Sequence, residues 1–208
     1  FYEMLFLSAW FYGLATAGLC CFLTPLVEAW LGSSYVIEFS AVVAACVYFY
    51  VSNMHYPCYT YRTTAGLFVY GKYIPLISAI INIVLNIVLG RAWGLAGILW
   101  ASTISRALTY EIVDPLMVYR HVFHQSVRKY FGIYGVYTAW TIVDCAISYG
   151  VVSLLPSKGL LQLVVRAVVF ALVYNLLFLL ATYRTKSFRS ISKRLKPILS
   201  KEFHKIKK

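Results

Sequence analysis

Residues 4–26 run 23 positions without an Asp, Glu, Lys or Arg, and residues 39–61 do so over another 23. A bilayer-crossing helix needs about 20 largely apolar residues, since lipid offers backbone polar groups no partners. Residues 73–90 give 18 more such positions. The run 92–110 holds one charge, Arg106, and its helix is read as continuing to 118. The runs 130–155 and 159–183 hold only Asp144 and Arg166. Strands are disfavoured, because a barrel alternates every second residue and these runs are solidly apolar. Only 12% of the 208 residues are charged, against about a quarter in soluble domains, so lipid must replace water over much of the surface. The expected fold is all-α, a polytopic transmembrane helix bundle in residues 1–183. Its six spans are about 4–26, 36–61, 73–90, 92–118, 130–155 and 159–183.

Orientation follows from Lys and Arg, which favour the cytoplasmic side. With the first helix starting inside, the inner loops carry Arg62, Lys72, Arg120, Arg128 and Lys129, and residues 184–208 add ten more. Only Arg91 and Lys158 fall outside. The C-terminus is therefore expected on the cytoplasmic side of the membrane. Trp30, Tyr35 and Trp93 fall at the outer boundary, where amphipathic rings prefer the headgroup level. Tyrosines at 59, 61, 70 and 73 suit an inner belt. Pro25, Pro75, Pro115 and Pro156 are placed near helix ends, where a missing N–H costs little. The chain starts Phe1-Tyr2-Glu3, with no basic segment before the first apolar run. It is therefore read as the later part of a longer protein, not as opening on a signal peptide.

Motifs for chemistry are few. Gly66 to Lys72 has the letters of a phosphate-binding loop, but Tyr73 replaces the required Ser or Thr and no strand precedes it. Cys20, Cys21, Cys46, Cys58 and Cys145 form no C-x-x-C pair, and His121 and His124 have no further ligand nearby. No metal or cofactor is expected, and nothing resembles a catalytic triad or paired carboxylates, so the chain is read as a non-enzyme.

The charges inside the spans carry more meaning. A bare charge at the bilayer centre costs at least ~2.5–3.5 kcal/mol, so it faces a partner or an aqueous cavity. Arg106 lies twelve residues from Gly94, about 18 Å down a helix and near midplane. It is expected to line a polar cavity and attract an anionic group. Asp144 and Arg166, on an antiparallel hairpin, are expected to pair or to act as a proton-linked switch. Asn82 and Asn86 share a helical face, and Thr103 lies with Ser102 and Ser105 on the next span. They join helices or belong to the substrate pathway. From Ser187 on, apolar residues at steps of three and four alternate with Lys193, Arg194 and Lys196 among other cations. That pattern predicts an amphipathic tail on an anionic leaflet, a better fit than nucleic acid.

Several stretches resemble the bacterial polysaccharide transporter (oligosaccharide flippase, Wzx-type) family. They are Tyr61 to Phe68, Gly71 to Ile77, Ala79 to Gly90 and Gly94 to Ser105, followed by Asp114-Pro115, Tyr119, Val122-Phe123 and Tyr130-Phe131. The run from Pro25-Leu26 to Trp30-Leu31-Gly32 fits an earlier part, and Tyr110 to Val113 departs from the pattern. The resemblance implies the C-terminal portion of a two-lobed exporter. Such a carrier moves polyprenyl-diphosphate-linked oligosaccharide from the inner to the outer leaflet by alternating access, with a cationic lumen for the diphosphate. It also implies glycan polymerase and glycosyltransferase partners. Alternatives are another cargo on the same fold (a lipid-linked peptidoglycan precursor or a small-molecule drug), a membrane-embedded polymerase, or a non-transporting membrane subunit. A cationic drug would call for excess intramembrane carboxylate, whereas two Arg here face one Asp.

Overall fold

The computed structural model describes residues 1–156 and 160–194. Among them every regular element is helical. Helix α1 (Tyr2–Leu31) makes the first pass, and a 3₁₀ turn at Ser33–Tyr35 leads into α2 (Phe39–Met54) and α3 (Tyr56–Thr64), which together make the second. Next come α4 (Ile74–Leu108) and α5 (Tyr110–Val118), a π-helical turn at Tyr119–Phe123, α6 (Arg128–Ser153) and α7 (Leu160–Thr182). Among the described residues four stretches are long and apolar enough to cross a membrane: Tyr2–Leu31, Ile74–Phe123, Arg128–Ser153 and Leu161–Thr182. At 16 residues, α2 reaches bilayer length only together with α3.

Helix α4 is two passes, not one. Gly94 adopts φ 55° and ψ −131°, a backbone conformation open to glycine and not to residues with a Cβ. The chain reverses there, so the limb before Gly94 and the limb after it lie side by side. Asn82 Nδ2 donates to Ser102 Oγ at 3.2 Å across the two limbs. A Cβ on Gly97 would fall onto the Leu89 carbonyl, so a hydrogen is all that fits at that crossing. Counted this way the described residues make six passes along the bundle, with Arg91 and Trp93 at the tip of the α4 hairpin.

Helix α1 is the centre of the bundle and packs on α2, α6 and α7. Its sequence explains why. Ala9, Gly13 and Ala17 recur every fourth residue and are buried, and a stripe of small residues lets helix backbones approach closely. At Gly13 a Cβ would meet the Tyr174 hydroxyl, with Thr141 Oγ1 at 3.1 Å. Gly13→Val is expected to cost about 1–3 kcal/mol through overpacking, read as a lower Tm in detergent. A wild-type Tm would show that α6 and α7 do not close on α1 at this level.

Contacts among aromatic residues identify one end of the bundle. The Phe1 ring meets the Tyr61 ring edge-on, centres 5.2 Å apart, and the Tyr119 hydroxyl donates to that of Tyr2 at 2.8 Å. The chain start, the end of α3 and the π turn therefore share one end, the end that carries Arg62, Arg120, Arg128 and Lys129. Two proline placements differ from expectation. Pro25 and Pro115 lie inside α1 and α5, where each removes one backbone hydrogen bond from a helix that nonetheless continues.

The start of the tail also differs from expectation. Residues 186–194 are helical, but the apolar side chains Phe188 and Ile191 pack against the protein core instead of facing lipid. Ser190 donates to Glu3 Oε1 at 2.6 Å, and Arg194 Nη1 lies 3.3 Å from Glu3 Oε2. The acidic residue next to the chain start gives this segment a protein partner. Lys193 belongs to the same helical stretch, whereas Lys196 lies outside the described residues.

Candidate functional site

The strongest concentration of buried charge is where α2, α3, α4 and α5 meet. His55, at the joint between α2 and α3, is 3% exposed. Its Nε2 lies 2.8 Å from Asp114 Oδ2 and its Nδ1 lies 3.5 Å from Glu111 Oε1. Arg62 Nη1 donates to Asp114 Oδ1 at 2.7 Å, and Asp114 is fully buried. Arg106 Nε lies 3.6 Å from Glu111 Oε1. Two guanidinium groups and two carboxylates thus balance, with an imidazole bridging the two pairs. Without that mutual compensation each charge would incur several kcal/mol of desolvation.

The local backbone explains how the groups meet. Glu111 and Asp114 are three residues apart and share one face of α5. Arg106 and Glu111, five apart, would diverge by about 140° on a straight helix. The break at Thr109 (φ −113°, ψ −86°) turns them toward each other. Thr109 Oγ1 donates to the Ser105 carbonyl at 2.7 Å and so satisfies a backbone group near the break. On α3, Gly71 of the following turn would place a Cβ 2.9 Å from Arg62 Nη1, so the turn closes tightly over that guanidinium.

Arg106 also faces a cavity. A space of about 270 Å³ is lined by Tyr48, Asn82, Ser102, Ser105, Arg106 and Tyr110, among others. Arg106 Nη2 donates to the Ser52 carbonyl at 3.3 Å, and its guanidinium stacks 5.2 Å from the Tyr110 ring centre. On the opposite wall Asn82 Nδ2 reaches both Ser102 and Ser105, while Asn86 Nδ2 donates to Asn82 Oδ1 at 2.9 Å. Arg106, Asn82 and two serines therefore make a polar surface between helices that are otherwise apolar. Asn86 stands behind Asn82 and does not line the cavity. Thr103 is buried and donates to the Leu99 carbonyl of its own helix, so it too lies off the cavity.

Asp144 and Arg166 do not meet. Arg166 Nε and Nη2 both donate to the Val152 carbonyl, at 3.1 and 2.9 Å. Val152 is eight residues beyond Asp144, about 12 Å along α6, which puts the two charges at different depths. A cation at the end of α6 also complements the helix dipole. Arg166 further lines a cavity of about 660 Å³ with Glu28 and Glu38. Asp144 is 1% exposed, and its Oδ2 accepts no hydrogen bond among the described residues.

His55, Arg62, Glu111 and Asp114 are site residues that the sequence reading did not assign. The available signal was the i, i+3 pair of carboxylates at the end of the fourth span, five and eight residues beyond Arg106. Among the described residues no cluster of His, Cys, Asp and Glu is disposed to hold a metal ion. Comparison of the chain with known families, with curated proteins and with solved structures gives no match.

Proposed function

We propose that this chain forms part of a membrane carrier that flips polyprenyl-diphosphate-linked oligosaccharide from the inner to the outer leaflet. The observation that carries this reading is the double environment of Arg106: a polar intramembrane cavity on one side and Glu111 on the other. A guanidinium in a poorly solvated site attracts phosphate oxygens strongly and in forked geometry. At 3.6 Å its hold on Glu111 is loose, so an incoming diphosphate can displace the carboxylate. Asn82, Ser102 and Ser105 offer the amide and hydroxyl groups that hydrogen-bond sugars. A cavity of about 270 Å³ suits the diphosphate and its first sugar, with the remaining glycan extending outward.

Glu111 then serves as an internal counter-ion. With cargo bound, Arg106 faces the cavity; without cargo it returns to Glu111, and the network with His55 and Asp114 closes. The break at Thr109 gives α4 and α5 a place to bend between these arrangements. In this reading the protein lies in a bacterial cell membrane with its C-terminus in the cytoplasm and serves glycosyltransferases and a polymerase. A lipid-linked peptidoglycan precursor carries the same diphosphate, so it is the second reading that Arg106 favours.

Complementation of a flippase-null strain tests this. The full-length gene is expected to restore surface glycan, and Arg106→Gln is expected to lower export at least tenfold at equal protein level. Restoration by Arg106→Gln to wild-type amounts would remove the cavity from the mechanism. Failure of the wild-type gene to restore export despite expression would remove the cargo assignment.

A further inference from the structure

At the end of the bundle opposite the α4 hairpin tip lies a second cavity, of about 760 Å³, that shares no residue with the one around Arg106. Val113, Leu116 and Met117 of α5 make its apolar wall. Arg120, His121 and His124 make its rim. Helix α5 passes here into the π-helical turn Tyr119–Phe123, which ends on His124 in a left-handed conformation (φ 50°, ψ 39°). A non-glycine residue held at positive φ stores backbone strain, and π turns concentrate at functional sites. Together they set three basic side chains around one opening, and His121 is held there by stacking on Tyr70, ring centres 4.3 Å apart.

The basic groups here lack an acidic partner. Among the described residues no carboxylate lies within ion-pair distance of Arg120, His121, His124, Arg128 or Lys129. Ser126 and Val127, which also line the cavity, lead directly into the first turn of the 26-residue α6. The positive end of that helix dipole adds to the field at the rim. An anion is the complementary ligand. The apolar wall chooses among anions, because Leu116 on that wall is itself exposed on the outer surface of α5 and would carry a hydrocarbon chain away from the head.

We infer that this cavity binds the phosphate head of an anionic membrane lipid, with the phosphate among Arg120, His121 and His124 and an acyl chain along Val113 and Leu116. The site is independent of the cargo assignment and requires only that the bundle sit in a membrane.

Purified full-length protein in a neutral detergent, titrated with phosphatidylglycerol, phosphatidylcholine or inorganic phosphate, tests the inference. Phosphatidylglycerol near saturation is expected to raise Tm by about 5–10 °C, and phosphatidylcholine by much less. The variant Arg120→Gln/His121→Gln/His124→Gln is expected to lose that rise. The wild-type protein gives a second readout that does not depend on the variant folding. Carbethoxylation of His121 and His124, followed by peptide mass, is expected to slow several-fold in phosphatidylglycerol relative to phosphatidylcholine. Equal effects of the two lipids on both readouts would overturn the inference, as would full retention of the Tm rise in the triple variant. Equal protection by millimolar inorganic phosphate alone would assign the site to a free anion and overturn the lipid.

Discussion

Asp114→Ala is expected to be the most damaging single substitution at the site, lowering stability by about 3–5 kcal/mol. It would leave Arg62 and His55 facing a buried space with no carboxylate at 2.7 and 2.8 Å. For a protein of this size that corresponds to a fall in Tm of roughly 6–20 °C, measurable in detergent by the fluorescence of its five tryptophans. The cause can be separated from simple loss of volume. Replacing a buried pair by apolar residues is often close to neutral, so Arg62→Met combined with Asp114→Leu is expected to recover much of the loss. A double variant no more stable than Asp114→Ala would show that the pair is not what fails.

Gly97→Val is the second large effect, and it acts through backbone instead of charge. The added side chain would meet the Leu89 carbonyl, which belongs to the helix and cannot move aside as a flexible side chain can. The two limbs of α4 would have to separate, and Asn82 would lose Ser102 and Ser105. The loss is expected to exceed the about 1–3 kcal/mol typical of overpacking a yielding core. Hydrogen exchange is expected to quicken over residues 79–105 and to stay unchanged in α1 and α6. Unchanged protection across the hairpin would mean that the limbs are not packed as described.

How much of this was legible in the sequence varies with the kind of interaction. The helices were, because apolar runs of 18 to 23 residues leave the backbone little else to do. The reversal at Gly94 was visible as the gap between two runs, although its closeness at Gly97 was not, since glycine is common where no neighbour approaches. Arg106 is legible as a charge that must face a partner or a polar cavity. Glu111 was not recognised as that partner, because five residues on a straight helix point apart and only the break at Thr109 brings them together. His55 carried no signal, being one uncharged-looking residue in a run free of Asp, Glu, Lys and Arg. Asp144 and Arg166 mark the reverse error: both were visible, but helix depth decided the contact and Arg166 went to a backbone carbonyl. The start of the tail shows a similar limit, because its amphipathic period was readable and its protein partner, α1, was not.

The proposed role of Arg106 and its cavity is to carry a lipid-linked diphosphate across the membrane. It is tested most directly in vesicles that contain the full-length protein, with a fluorescent polyprenyl-diphosphate oligosaccharide supplied in one leaflet. Appearance of the label in the other leaflet is read by quenching from outside. Flipping is expected well above the protein-free rate, at least tenfold slower with Arg106→Gln and unaffected by Lys193→Arg at an exposed position. Flipping no faster than in protein-free vesicles, or equal rates with and without the Arg106 guanidinium, would contradict it.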